Sequence, residues 1–138
     1  MKVRGEEIEL VSEPRHGVVR ELRKQRNRMV IKLLSEAKDL FEQGILKENM
    51  KIEDAIEVIG KMKPELLSDF TQMQEEFDFI ATISLATNRV WRIEELDELT
   101  ESEFWELYER CKEAIGGTAE DFFARYERSI SLKVNQKI

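Results

Sequence analysis

A threonine three residues ahead of a glutamate, followed by an apolar stripe of helical period, constrains this chain more than any other feature. Thr100 and Glu103 have the spacing of a capping box, in which the hydroxyl accepts from the third amide and the carboxylate reaches back to the first. Phe104, Leu107, Tyr108, Cys111 and Ile115 then recur at three and four residues, one face of a helix. Gly116 and Gly117 suit the stop, because glycine takes the left-handed backbone that commonly ends a helix. Thr118 with Asp121 restarts the pattern, and Phe122, Phe123 and Tyr126 ask for an apolar partner. The spacing predicts helices over 100–115 and 118–128, a surface built to pack or to bind, with no residue on it suited to catalysis.

The same period runs through the rest of the chain. Leu22, Met29, Leu33, Ala37 and Leu40 share one face of a long helix over 18–43, with Gly44 as its stop. Ala55, Ile56 and Ile59 predict a shorter helix over 52–62. Pro64 suits the first turn of another over 64–86, which carries Leu67, Phe70, Phe77, Ile80, Ala81 and Leu85. A short helical turn is expected over 93–99. Only the first eleven residues differ: Val3, Ile8 and Leu10 alternate with polar residues, which predicts a β-hairpin over 1–11 bending at Arg4-Gly5-Glu6. The expected fold is therefore mainly α, about five helices with a short N-terminal β-hairpin. Residues 1–128 read as one helical domain, and 129–138 as a loosely ordered tail.

Composition narrows the function classes. Of 138 residues 41% are hydrophobic, enough for a core, and 37% are charged, above the usual ~25%. Two prolines and six glycines leave helices few interruptions. One cysteine forms no internal disulfide, so an intracellular, reducing compartment, the cytoplasm, is expected. No apolar run approaches the ~20 residues of a membrane span, and the N-terminus lacks the apolar core of a signal peptide, so no membrane association is expected. The net charge of −7 is uneven: nine Lys and Arg face five Glu between Met1 and Leu33, a local +4 that leaves −11 elsewhere. An acidic body disfavours nucleic acid as a bulk partner, while the basic front keeps that reading open locally.

Each candidate site stands beside a plainer account. Arg20, Arg23, Lys24 and Arg28 fall near one side of the first long helix and form a candidate basic face for nucleic acid. No helix-turn-helix, zinc pair or aromatic-interleaved strand accompanies them, and a solvated or docking face is the favoured account. His16 is the one histidine, with no Cys or Asp motif beside it, and suits a helix start better than catalysis. Cys111 lies on an apolar stripe and reads as a buried, unreactive thiol. The acidic groups around Glu53, Glu75 and Glu94 lie in first turns, where the helix dipole favours negative charge, or on polar faces. No catalytic residue, metal site or cofactor is expected. Phe79 and Trp105 fall off the main stripes of their helices, and Trp91 sits with Val90 in a loop. These three are candidate partner-binding residues, weighed against packing into the core from a second side.

Taken in order, the N-terminal KVRGEEIEL pair, the VVREL entry to a long helix, the acidic IEDAIEVI helix, the EFDFIATI helix and the run EELDELTESEFWELYERCKEAI form an outline over residues 1 to 127. This outline resembles the tail assembly chaperones of long-tailed bacteriophages and prophages, small acidic helical proteins. The resemblance implies a non-enzymatic role: binding the long, hydrophobic, coil-forming tape measure protein and keeping it soluble while tail tube subunits assemble around it. It also implies a second, longer form made by ribosomal frameshifting near the end of the shorter frame. That family has no fixed site, so no residue role comes with the resemblance. Met29, Met50, Met62 and Met73 suit an adaptable groove for such a helix, or ordinary core filling. Leftover aromatic surface leaves self-association open. The alternative reading is a small nucleic-acid-binding regulator using the basic face.

Overall fold

The computed structural model describes residues 1–125. Its order is β1 (Lys2–Val3), β2 (Glu6–Glu7), α1 (His16–Glu36), α2 (Lys38–Glu42), α3 (Ile52–Met62), α4 (Pro64–Thr87), α5 (Ile93–Asp97) and α6 (Glu101–Ile115). Residues 119–125 are again helical. The fold is mainly α with one two-stranded antiparallel hairpin. The reading of 126–138, including the end of the last helix and the tail, lies outside the described residues. Where the sequence reads as one domain over 1–128, the chain groups into two compact units. Met1–Leu22 joins residues from Phe77 onward, and Arg23–Glu76 forms the other; α1 and α4 contribute to both.

In the first unit the hairpin pairs Lys2 with Glu7 and Val3 with Glu6. Arg4 (φ 52°) and Gly5 (φ 82°) both take left-handed backbone, as the tight two-residue turns that match strand twist require. The second strand is shorter than the alternation predicts. Ile8 N–H still donates to the Met1 carbonyl (2.6 Å), but beyond it no residue of β1 faces the chain. Val11 N–H turns instead to the Ala86 carbonyl at the end of α4 (2.7 Å).

The second half of α4 is the axis of this unit. Ala81 to Ala86 are all buried, which marks a helix surrounded on every side rather than one with a wet face. Fully burying Ile83 and Leu85 contributes roughly 1.5–3 kcal/mol each. Leu22 of α1, Leu107, Cys111 and Ile115 of α6, and Ala119 and Phe123 of the last helix pack in the same core. Two polar side chains lie inside it, and both are satisfied. Thr82 Oγ1 accepts from Ala119 N–H (2.9 Å) and Ser84 Oγ from Trp91 N–H (2.9 Å). α4 ends through Asn88 (φ 58°), with Arg89 N–H donating to the Ser84 carbonyl (3.2 Å), a left-handed cap of the kind glycine usually supplies.

The start of α6 follows the Thr100–Glu103 reading. Glu103 N–H donates to Thr100 Oγ1 (3.2 Å) and Thr100 N–H to Glu103 Oε1 (3.0 Å). Its end follows too: Gly116 sits at φ 78° and Gly117 N–H donates to the Lys112 carbonyl (2.9 Å).

The second unit has its own core of Leu33, Ala37, Leu40, Leu46, Ala55, Ile59 and Phe70. The helix predicted over 18–43 begins two residues earlier and divides at Ala37. There the N–H is shared between the Leu33 and Leu34 carbonyls, and Leu40 N–H bonds back only three residues to Ala37 (3.0 Å). That tightening to a three-residue period needs neither proline nor glycine, and Ala37 and Leu40 stay buried through it. The α3–α4 corner forms before Pro64, with Lys63 (φ −138°, ψ 72°) out of the helical region that a residue ahead of proline avoids. Lys63 Nζ bonds Asp39 Oδ1 of α2 at 2.7 Å and holds that carboxyl below its usual range. Of the four methionines read as groove or filler, Met29 and Met50 pack against this core, Met73 is half-buried, and Met62 is exposed.

The buried hydroxyl of Thr82 predicts a measurable dependence. Thr82→Val keeps the shape but leaves Ala119 N–H without an acceptor, and should destabilise the protein by about 1–3 kcal/mol in urea unfolding. Thr82→Ser, which retains the acceptor, should lose less than Thr82→Val. Equal losses would contradict the role given to the hydroxyl.

Candidate partner-binding surface

Four aromatic side chains from two helices meet at the surface of the first unit. Phe79 of α4 stands edge-on to Phe104 (ring centroids 5.2 Å apart), Trp105 (5.7 Å) and Tyr108 (5.0 Å) of α6. Within α6, Phe104 is edge-on to Trp105 (5.1 Å) and parallel to Tyr108 (6.2 Å). Such pairs contribute about 0.5–1.5 kcal/mol beyond the area they bury. The helical period explains the grouping: residues 104 and 108 fall one turn apart, with 105 at their shoulder.

The cluster is graded from inside to outside. Tyr108 is buried, Phe79 and Phe104 are half-buried, and Trp105 is 44% exposed, the one large exposed aromatic among the described residues. The indole is nevertheless fixed in place, because its Nε1–H donates to Glu101 Oε2 one turn earlier (2.8 Å). Lys112 Nζ lies 5.2 Å from the Tyr108 ring centre, within reach of a cation–π contact.

Beneath the rings a polar group connects three elements. Tyr108 OH donates to Asp78 Oδ2 of α4 (2.9 Å), and Asp78 also accepts from the backbone N–H of Glu120 at the start of the last helix. With Thr82 one turn along, α4 thus offers two acceptors to the first amides of that helix, which Thr118 and Asp121 cap from within. Partial burial pushes the Asp78 carboxyl above its ordinary value, with the Tyr108 and Glu120 bonds pulling the other way. Burial, then the hydrogen bond and charge of Asp78, push the Tyr108 phenol well above the usual range.

The other residues singled out in the sequence fall elsewhere. Trp91, a candidate anchor, is only 6% exposed and is committed inside: its Nε1–H donates to Thr87 Oγ1 (2.8 Å) and the Arg89 guanidinium lies 3.7 Å from its ring centre. It is no surface anchor. The loop that carries it folds back because Ser84 takes its backbone N–H. Phe79 and Trp105, by contrast, are brought into direct contact. Phe104 and Tyr108, assigned to the core stripe from their spacing, belong to the surface cluster as well. The adjacency of Phe104 and Trp105 is the available signal, since on a helix with one wet face neighbours about 100° apart set one of the two toward its edge.

Of the basic face, Arg20, Lys24 and Arg28 are exposed along α1 and Arg23 is half-buried. Arg20 belongs to the first unit and the other three to the second. His16 is exposed in the first turn of α1. It borders an open cleft of about 610 Å³ with Glu13, Pro14, Val19, Ile115 and Phe122. Cys111 is buried on the α6 stripe, and burial pushes its thiol up to about 12, which leaves it a thiol at neutral pH. Among the described residues no group of three or more His, Cys, Asp or Glu side chains converges to hold a metal ion, and no helix is long and apolar enough to cross a membrane. Compared with known protein families, with curated proteins and with solved structures, the chain matches none.

Asp78 makes a signed prediction. Its carboxyl is raised in the folded protein, so the folded form holds its proton to higher pH than the unfolded chain does. The penalty for ionising it is absent in acid and develops as pH rises from 3.8 through the folded value. Asp78→Asn keeps one carbonyl acceptor at the site and removes that penalty. Wild type should therefore lose stability relative to Asp78→Asn as the pH of the unfolding experiment increases from about 3 to 7. Asp78→Ala strands the Tyr108 hydroxyl and the Glu120 amide and should cost about 1–3 kcal/mol at neutral pH. A difference that grows in the opposite sense would exclude this account of the group.

Proposed function

We propose that this protein is a tail assembly chaperone of a long-tailed phage or prophage. It acts without catalysis in the host bacterial cytoplasm, binds the tape measure protein and keeps it soluble while tail tube subunits gather. The resemblance of the chain's outline to that family motivates the reading. One structural observation supports it: Trp105 stands 44% exposed at the outer edge of a four-ring cluster on two packed helices. An exposed indole costs solubility unless something covers it at work, and aromatic anchors in a helical groove are how such surfaces take up another helix.

The charge fits the same task. A net −7 keeps a helical carrier soluble while it holds an apolar client. Exposed Ile52 and Met62 add apolar surface on the second unit, so a long client has more than one place to touch. The buried, protonated thiol of Cys111 fits a binding role better than a chemical one.

Co-expression decides the reading. With the tape measure protein encoded beside it, this chain should raise the soluble fraction of that protein and be retained with it in a pull-down. Trp105→Ala should reduce both, with the helical circular dichroism unchanged. An unchanged soluble fraction together with no retention would overturn the assignment.

A further inference from the structure

The Trp105 cluster has one polarity of edge, and that polarity selects a partner. From Ile93 to Glu109 the chain carries eight carboxylates and no lysine or arginine. On α6, at 100° per residue, Glu101 and Glu109 lie one turn to either side of Trp105, and Glu106 adjoins it. Phe104 and Tyr108 occupy the opposite shoulder. The indole therefore divides an apolar side, completed by Phe79 of α4, from a side that carries Glu106 and Glu109, while Glu101 lies one turn earlier on the Tyr108 side.

The nearby cations do not cancel this edge. Arg110 reaches Glu106 at 3.5 Å and Lys112 reaches Glu109 at 3.3 Å, both toward the C-terminal end of α6, the first pair exposed and the second with a half-buried Lys112 and an exposed Glu109. Exposed pairs of this kind are weak and leave their carboxylates open to a second partner. Toward the N-terminal end, the one partner of Glu101 among the described residues is the neutral indole N–H, a bond that leaves its negative charge at the surface. Glu103, in its cap, adds a further charge in that turn, partly offset by the Arg4 guanidinium, which acts on it while bonded to Glu98 (3.0 Å).

From this arrangement we infer that the Phe79–Phe104–Trp105–Tyr108 surface takes a cationic amphipathic helix of another protein, its apolar stripe on the rings and its flanking lysines or arginines on Glu101, Glu106 and Glu109. The inference rests on the reading of this surface as a binding site and names the chemistry of its occupant. A helix fits because the rings line the seam between α4 and α6, and the ridge of a third helix packs into such a seam as helices pack on each other. Charge fits because a lysine beside the indole meets both a carboxylate and an aromatic face, whereas a glutamate there meets like charge.

Two synthetic amphipathic helices test it: one with a leucine stripe flanked by lysines, and a twin with every lysine replaced by glutamate. Binding is followed by acrylamide quenching and by the emission shift of Trp105, the exposed indole, against buried Trp91. The lysine helix should protect Trp105, and the twin should bind at least about tenfold more weakly, with the gap narrowing as salt rises. Glu101→Gln with Glu109→Gln keeps an acceptor for the indole and should weaken the lysine helix severalfold while strengthening the twin. Trp105→Ala should weaken the lysine helix by more than about tenfold. Equal affinity for both peptides, binding of neither, or protection of Trp105 by self-association of the protein alone would each overturn the inference. Its failure is separable from that of the chaperone reading: a tape measure protein held in solution by a charge-blind surface defeats this inference only. A lysine helix bound tightly by a protein that rescues no tape measure protein defeats only the other.

Discussion

The second half of α4 carries the structure of the first unit, through a combination of burial and hydrogen bonding rarely placed in one helix. A helix surrounded on all sides is most cheaply made of hydrocarbon, yet this one holds Thr82 and Ser84 with no exposed surface. Each hydroxyl is retained because it accepts a backbone N–H that the core would otherwise strand, from Ala119 and from Trp91. The two bonds fix where the last helix begins and where the α4–α5 loop turns back. Packing alone is non-directional and would let both segments slide. A hydroxyl at a defined step of a helix gives them a register.

The aromatic surface inherits its geometry from that register. Asp78, one turn before Thr82, meets the same helix start and the Tyr108 hydroxyl, so α4 and α6 are held together by a bond as well as by rings. Phe79 follows immediately in sequence and is carried to the outer side of the seam. The half-buried rings and the exposed indole are thus extensions of a core whose positions are already determined. Trp105 needs no partner to be held in place, since Glu101 takes its N–H and Phe79 and Phe104 brace its faces.

Much of this was legible in the residues because the determinants are local. The Thr100–Glu103 box, the Gly116 stop, the Pro64 start and the apolar periods each act within one or two turns, and the helices they predict form. What escaped was tertiary. Ala37 tightens its helix with no breaker residue, so no sequence signal marks the division of α1 from α2. Asn88 ends α4 in the left-handed conformation in place of a glycine, and Trp91 is drawn inside by Ser84, a residue seven positions away on a different element. Phe104 and Tyr108 belong to an apolar period and to a surface cluster at once, and periodicity cannot separate the two. The split into two units has the same origin: α1 and α4 are each continuous in pattern, and only the contacts of distant segments distribute their ends between two cores.

Preorganisation connects these facts to binding. Association loses part of its free energy in ordering side chains, about 0.5–1.5 kcal/mol for each rotamer-rich group fixed at an interface. The rings here have few torsions, and edge-to-face contacts and the Glu101 bond already restrict them. A helix docking on this seam would order its own side chains and very little of the receptor. The acidic edge adds selectivity at small cost, since Glu101, Glu106 and Glu109 remain hydrated in the free protein and are not desolvated in advance. In the proposed complex a rigid apolar centre with a hydrated charged rim would place affinity in the rings and discrimination in the carboxylates, so that Trp105 and Glu101 would have separable effects although they share a hydrogen bond.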